Sequence, residues 1–380
     1  MSKKIKNAYY PNLTFQKLLE AHFRAKKGKC YKPNIIQFDL NLEHNLINIK
    51  KSLENHKYCL GSYFSFKVYE PKERVIMALP YKDRIVQQWY IEEFIKPYIL
   101  PRLISTTFAC IDDKGTHKAV KNVQKQMRIF KRNYGDFWIL KCDIKKFFYS
   151  INPDILYNIM KKYIEDKDLL LLTKKFIFNE NNITSKLGIP IGNYTSQFYA
   201  NIYLNELDQY LKRVLKIKYY TRYMDDFIIL LKTKNECIEL KKQIELFLDK
   251  NLKLELNAKS RYYPYKMGVN FCGYRIFTTH RLLRTSSKKK IKANVRKWNH
   301  QYHHNRLNSK HAFQSLNSWF GHASHSNSYK LKQKIINKCE FLITNNTYNE
   351  IESNLIKDIQ NNKIKKQTTN KKDKELKYKR

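Results

Sequence analysis

The sequence predicts an α+β fold in which antiparallel strands pack on helices. Three observations point to it. Residues 63–69 and 74–78 read as the two strands of one hairpin, and 219–232 reads as a second hairpin with two aspartates at its turn. Residues 137–144 form an apolar run of strand length that ends on a carboxylate. Between these segments apolar residues recur at i, i+3, i+4 spacing, the period of helices that bury one face.

The elements follow in order. Phe15, Leu18, Leu19, His22 and Phe23 mark a first helix, which Ala25-Lys26-Lys27-Gly28-Lys29 ends. A second covers 42–55. Glu70-Pro71-Lys72-Glu73 is the turn of the first hairpin. Asp83 is an N-cap for a helix over 84–95, and Thr116 for one over 117–132, because their side-chain oxygens can accept from free first-turn N–H groups. Residues 154–177 read as two helices. A long helix over 195–215 carries Phe198, Ile202, Leu207, Leu211 and Leu215 on its buried side. Leu240, Ile244, Phe247 and Leu248 mark one more. From about residue 285 the character changes: 286–296 is strongly basic, and helices continue to about 343. Residues 361–380 hold nine Lys or Arg against two acids and almost nothing apolar, which reads as a disordered basic tail.

Charge narrows the function. The 380 residues include 74 Lys or Arg and 33 Asp or Glu, a formal net charge of +41. A field this positive concentrates polyanions, so nucleic acid is the expected partner. Solubility alone needs far less. The 42% hydrophobic and 14% aromatic content excludes a wholly disordered basic chain. Length suggests about two to three domains. Seven cysteines, at 30, 59, 110, 142, 237, 272 and 339, form no CxxC pair, which suits a reduced cytoplasm and neither zinc-ribbon nor thioredoxin chemistry. Met1-Ser2-Lys3-Lys4-Ile5-Lys6 is basic without a following apolar region, so no signal peptide is expected. The longest apolar runs, such as 227–231, are too short to span a bilayer. The expectation is a cytoplasmic protein without a membrane partner.

Chemistry concentrates in three segments. Tyr223-Met224-Asp225-Asp226 runs directly into Phe227-Ile228-Ile229-Leu230-Leu231. Ionised carboxylates beside a core are costly unless neutralised, and a divalent metal neutralises them. The plain alternative is an ordinary hairpin turn. Asp143 ends another apolar strand and precedes Ile144-Lys145-Lys146-Phe147-Phe148. If the two strands pair, three oxygen donors meet at one point, a site for two Mg²⁺ ions and in-line phosphoryl transfer. Its alternative is a strand terminator or helix N-cap. In Gly188-Ile189-Pro190-Ile191-Gly192-Asn193-Tyr194-Thr195-Ser196-Gln197, two glycines around a proline permit close backbone approach to a ligand, or mark a common loop-to-helix start.

In this order and spacing the segments resemble the reverse transcriptase family. Asp143-x-x-x-Phe147-Phe148 is similar to its motif A, Gly188 to Gln197 to motif B, and Tyr223-Met224-Asp225-Asp226 to motif C. Leu254-Glu-Leu-Asn-Ala-Lys259 resembles motif D, and Phe271-Cys-Gly-Tyr274 motif E. Arg74-Val-Ile-Met-Ala-Leu-Pro80-Tyr-Lys-Asp-Arg84 resembles the finger segment of bacterial and group II intron enzymes. The resemblance covers about residues 70 to 335.

The resemblance implies a right-hand polymerase with fingers, an antiparallel RRM-like palm and a helical thumb. Residues 1–70 would be a basic extension and the start of the fingers, 71–284 fingers and palm, 285–345 the thumb, and 346–380 a basic tail. Asp143, Asp225 and Asp226 would be catalytic. Two Mg²⁺ ions, with Mn²⁺ as a substitute, would be held by Asp143, Asp225 and the Ile144 carbonyl, with Asp226 more peripheral. Phe148 stands where the family has its steric gate against a 2′-OH. Arg74, Lys82 and Arg84 are candidates for the triphosphate of a dNTP, and Lys259 for protonating pyrophosphate. Gln197 and Ile191 would lie near the templating base pair, and Gly192, Tyr223, Met224 and Gly273 along the template–primer. RNA template and RNA–cDNA duplex are the implied partners.

Within the family, Ser196-Gln197 stands where group II intron maturases usually have Ser-Pro. No His-Asn-His cluster is present, nor the Asn-Ala-x-x-His and Val-Thr-Gly of retron enzymes. The Ile191-Gly192-x-x-x-Ser196-Gln197 form, the standalone length and Leu316-Asn-Ser-Trp-Phe-Gly-His-Ala-Ser-His325 look like diversity-generating retroelement enzymes. That subfamily implies cDNA mutated at template adenines and a small, basic, oligomeric accessory variability protein. The alternatives are an antiphage-defence or group II intron-derived enzyme and, in another class, a catalytically idle RNA-binding factor. His300, His303, His304, His311, His322 and His325 are read as nucleic-acid contacts, since no Cys lies at zinc-ligand spacing.

Overall fold

The computed structural model describes residues 4–69, 73–178 and 187–343. Residues 70–72 of the expected turn, the first three residues and the basic tail lie outside them. The chain divides into two compact units, Met1–Met267 and Gly268–Arg380.

In the first unit, β1 (Phe64–Val68) and β2 (Arg74–Ala78) form the expected hairpin. The site is built on a second sheet. It contains β3 (Trp138–Cys142), β4 (Tyr220–Tyr223), β5 (Asp226–Leu231) and β6 (Arg261–Pro264), in the order β4-β5-β3-β6 and all antiparallel. Ile139, Leu140 and Cys142 of β3 and Phe227 to Leu230 of β5 are buried, as apolar runs without alternation require. Their burial fixes the register, because a slip along the strands would carry part of an apolar run out of the core. Cys142 pairs with Phe227. Asp143 and Asp226, one step beyond on each strand, therefore end the ladder next to each other.

The helix Tyr194–Gln209 is buried on nearly every side, Phe198, Tyr199, Ile202, Tyr203, Leu204 and Leu207 included. It continues as a π-helical turn, Tyr210–Val214, whose Tyr210 stacks on Phe247 at 4.3 Å. The helices Phe15–Lys26, Leu42–Glu54, Pro153–Tyr163, Lys167–Ile177 and Lys234–Phe247 match the periodicity closely. Several elements differ from expectation, β6 and the short helix Tyr9–Asn12 among those that the sequence reading left out. Pro33–Leu40 is a helix that the sequence reading left out; proline at its first position supplies the preset φ. Asp83 does not cap a helix start. The helix runs Tyr81–Tyr90 after Pro80, and buried Asp83 accepts from the Tyr58 hydroxyl at 2.7 Å and the Gly61 N–H at 3.1 Å. Thr116 is likewise the first residue of Thr116–Tyr134, with Gly115 at the cap. In both cases a tertiary or backbone contact took the place of a local cap.

Two glycines in the 188–192 loop are required by its path. Gly188 has φ +97°, and a Cβ there would lie 3.1 Å from the Tyr149 backbone. Gly192 has φ +126°, and a Cβ would lie 2.6 Å from the Met77 carbonyl oxygen. The Met77 N–H donates to the Ile191 carbonyl at 2.7 Å, so the first hairpin is tied to this loop.

The second unit opens with β7 (Val269–Phe271), β8 (Tyr274–Ile276) and β9 (Arg281–Leu283), an antiparallel sheet. The helices Thr285–His303, Ser309–Ser324 and Tyr329–Ile336 follow, around Ile291, Val295, Trp298, Leu316, Phe320 and Ile335. The Tyr274 hydroxyl donates to the His322 carbonyl at 2.7 Å and joins sheet to helix. Among the described residues no helix is long and apolar enough to cross a membrane.

Gly192→Ala should destabilise the protein by about 1–3 kcal/mol, the cost of a strained backbone. Gly321→Ala, in the last turn of Ser309–Ser324 with open space around it, should stabilise by up to about 0.5–1 kcal/mol. Urea unfolding of both variants checks the pair; equal effects would contradict the loop geometry.

Candidate active site

Asp143 leaves β3 and is clasped from the side by residues 255–260. Its N–H donates to the Ser260 hydroxyl at 3.1 Å, and its carbonyl accepts from the Asn257 N–H at 2.7 Å. The Asn257 side-chain amide donates to Asp143 Oδ2 at 3.0 Å. Ile144 bridges to Leu256, and the Lys145 N–H donates to the Glu255 carbonyl at 2.9 Å. Lys146 turns left-handed (φ +46°) into the short helix Phe147–Ser150.

Asp225 sits in the two-residue turn between β4 and β5, after Met224 at φ +55°. Burial pushes its carboxyl above the usual range, the Asp143 charge pushes further, and Arg74 pulls back. Asp226 is raised to about 6, mainly by burial, with Lys141 opposing and both neighbouring carboxylates adding. Lys141 Nζ lies 3.1 Å from Asp226 Oδ2. Asp226 Oδ1 is buried and finds no hydrogen-bond partner.

This donor set fits a divalent cation. The carboxylates repel one another, and one buried carboxylate oxygen has no partner. Both are relieved by a hard cation. Lys141 engages Asp226 Oδ2, which leaves Asp226 only its buried Oδ1 to offer a cation. Among the described residues no group of three His, Cys, Asp or Glu is placed to hold an ion. Mg²⁺ commonly binds through one or two carboxylates plus substrate phosphates and water, without an all-protein cage.

The other predicted residues fall in different places. Arg74, on β2, is near enough to bias Asp225. Arg84 Nε donates to the Leu79 carbonyl at 3.0 Å and holds the turn before its own helix. Lys82 is exposed beside Asp83, and exposed Lys259 donates its backbone N–H to Asn257 Oδ1. Phe148 is half-buried, edge-on to Phe147 at 5.7 Å, and its carbonyl accepts from the Ile189 N–H at 2.8 Å. That bond and the Gly188 approach join the Phe147–Ser150 helix to the glycine loop. Gln197, exposed, accepts from the Cys110 thiol at 3.3 Å. Tyr223 pairs with Asp226 across the turn. Gly273 lies in the second unit, at the β7–β8 turn.

Sequence reasoning missed Lys141, Asn257 and a buried polar group behind the turn, Arg222 with Asp208, Asn201 and Thr107. Arg222 and Asp208 are both fully buried. The available signal was a charge, Arg222, directly between Thr221 and Tyr223 in an apolar stretch, with an acid, Asp208, late in a helix buried on nearly every side.

The family pattern described as reverse transcriptase (RNA-dependent DNA polymerase) matches residues 67–276. The chain belongs to the reverse transcriptase family, and its α+β fold is that family's polymerase fold. It is similar to the putative COX1/OXI3 intron 2 protein of Saccharomyces cerevisiae, at 27% identity over 39% of this chain and 25% of that one. It is also similar to the group II intron-encoded protein LtrA of Lactococcus lactis subsp. cremoris, at 24% identity over 54% of this chain and 44% of that one. The chain thus spans less than half the length of these curated relatives. A solved structure, apo telomerase from Candida Tropicalis truncated from its C-terminal domain, is similar at TM-score 0.43 and 13% identity, over 63% of this chain and 60% of that one.

The raised Asp226 carboxyl sets a pH dependence. Below about 3.8 it is protonated in both folded and unfolded chains. As pH rises through the window to about 6, the unfolded chain ionises first, so this group progressively lowers stability, and the full loss persists above that window. Without divalent cation, wild type should lose melting temperature relative to Asp226→Asn between those limits. Mg²⁺ should raise the wild-type melting temperature at pH 7.5 and much less at pH 5, where protons compete. Equal Mg²⁺ effects at both values would contradict the site.

Proposed function

We propose that the protein is an RNA-directed DNA polymerase, with Asp143 and Asp225 at the reacting centre. The observation that carries the reading is that Asp143 lies near enough for its charge to raise the Asp225 carboxyl, with the orphaned Asp226 oxygen close by, inside the stretch that matches the family. Bound divalent ions, Mg²⁺ or Mn²⁺, would lower the charge on the attacking and leaving oxygens of an in-line displacement. Asp143 and Asp225 would hold them, with the Ile144 carbonyl, while Lys141 keeps Asp226 at the edge. The primer 3′-OH gives up its proton to solvent, its oxygen forms the new bond to the α-phosphorus of a dNTP, the bond from that phosphorus to the bridging oxygen breaks, and pyrophosphate leaves. Arg74 is the favoured cation for the triphosphate, because it lies by Asp225 whereas Arg84 holds Leu79. Lys82 and Lys259 are exposed and free to reorient towards a substrate phosphate, Lys259 as proton donor to pyrophosphate.

Phe148 would close the pocket against a ribose 2′-OH, its backbone held by the glycine loop. Ile191, Gly192, Gln197, Tyr223, Met224 and Gly273 would line the template–primer, with fingers, palm and thumb divided near residues 70, 284 and 345. The charge of +41 supports binding to an RNA template and RNA–cDNA duplex that weakens steeply with salt.

Within the family we propose the adenine-mutagenic enzyme of a diversity-generating retroelement, working in the cytoplasm with a small basic accessory protein. The support is the Ile191-Gly192-x-x-x-Ser196-Gln197 form and the Leu316–His325 segment.

Primer extension on an RNA template with Mg²⁺ tests both levels. Asp143→Ala and Asp225→Ala should each reduce synthesis below detection while RNA binding persists; near-normal synthesis by either overturns the polymerase reading. Errors concentrated at template adenines support the finer reading, and faithful cDNA rejects it. Phe148→Ala should relax the preference for dNTP over NTP by about 10–100-fold, the range for losing one apolar steric contact. An unchanged ratio removes the gate role.

A further inference from the structure

The turn that carries Asp225 is not held by its own hairpin alone. Arg222, two residues before Met224, donates from Nη1 to the Met224 carbonyl at 3.0 Å and to Asn201 Oδ1 at 3.0 Å. Its Nε donates to Asp208 Oδ1 at 2.8 Å, and Nη2 pairs with the other oxygen. Asp208 also accepts from the Tyr220 hydroxyl at 2.6 Å and the Thr107 hydroxyl at 3.1 Å. Arg222, Asp208, Asn201 and Thr107 are all buried.

We infer that Arg222 is a positioning residue: anchored by Asp208 and Asn201, it fixes the Met224–Asp225 peptide and so sets the Asp225 carboxylate against Asp143. The planar guanidinium suits this task. One edge is locked to Asp208 while the remaining nitrogen reaches the turn carbonyl, a division of labour that a lysine ammonium lacks. A buried ion pair is weak evidence of stability, since apolar residues of similar volume often replace one without loss. What this pair adds is direction, because it is aimed at the backbone of the turn.

The same group reaches the other side of the site. The Arg222 N–H donates to the Thr106 carbonyl at 3.0 Å, and its carbonyl accepts from the Phe108 N–H at 3.1 Å. The Asn201 side-chain amide donates to the Ala109 carbonyl at 2.7 Å. Cys110 follows and donates to Gln197. One buried network therefore registers the Asp225 turn and the segment 106–109 to the helix Tyr194–Gln209.

The inference rests on the reading of Asp143 and Asp225 as the cation site, and its test separates the two. The full-length chain is compared with Arg222→Lys and with the double variant Arg222→Met/Asp208→Leu, which removes both charges together. Mn²⁺ affinity is read by electron paramagnetic resonance without nucleic acid, beside melting temperature and cDNA synthesis. Both variants should remain folded, with Mn²⁺ affinity about 10–100-fold weaker, the range for losing a group that orients a metal ligand, and synthesis reduced in step. Wild-type Mn²⁺ affinity in a folded variant overturns the inference, as does a change in melting temperature alone. If the double variant does not fold, Arg222→Lys is judged by the same two outcomes. A wild type that binds Mn²⁺ through Asp143 and Asp225 but makes no cDNA overturns the polymerase reading and leaves the role of Arg222 standing.

Discussion

The pairing of β3 with β5 is the constraint on which the rest depends. Cys142 opposite Phe227 is one register among several that backbone hydrogen bonding alone would allow. Burial of both strands selects it, because every other register exposes part of an apolar run. Once it is set, the carboxylates at the strand ends have no choice but to meet. Their mutual repulsion is then a cost imposed by the hydrophobic core, and it leaves a site prepared for positive charge.

The surroundings share that charge out. Lys141, on β3 itself, engages Asp226. Arg74 comes from the first hairpin and biases Asp225. Neither is buried beyond reach of solvent, so both can yield to a stronger cation. Arg222 differs, being fully enclosed and matched to Asp208, and it acts on the backbone behind the turn. In a chain with a net charge of +41, Asp143, Asp225 and Asp226 thus form a small acidic island. The rest of its field is suited to a polyanion lying across it.

Close backbone approach does the remaining alignment. Residues 255–260 clasp Asp143 from one side through Ser260 and Asn257. The glycine loop touches the Tyr149 backbone at Gly188 and the Met77 carbonyl at Gly192. The first hairpin, the loop and the Phe147–Ser150 helix are therefore positioned by main-chain contacts, which a change of side chain disturbs little and a Cβ disturbs directly.

The sequence by itself determined β1 to β5, the main helices and the carboxylates, but not the short strands β6 to β9. Those follow from local periodicity and from the rarity of paired acids beside an apolar run. Asp83 and Thr116 were misread because a cap rule sees only the neighbouring backbone, whereas Asp83 satisfies Tyr58 and Gly61 from far along the chain. Pro33–Leu40 was missed because its apolar spacing is weak over eight residues. Only the tertiary structure decided that Lys141 takes Asp226, that Arg84 holds Leu79 while Arg74 lies by Asp225, and that Arg222 stands behind the turn. The physical reason is common to all three. Which partner a charge finds depends on distances between segments far apart in the chain, and local sequence does not carry those distances.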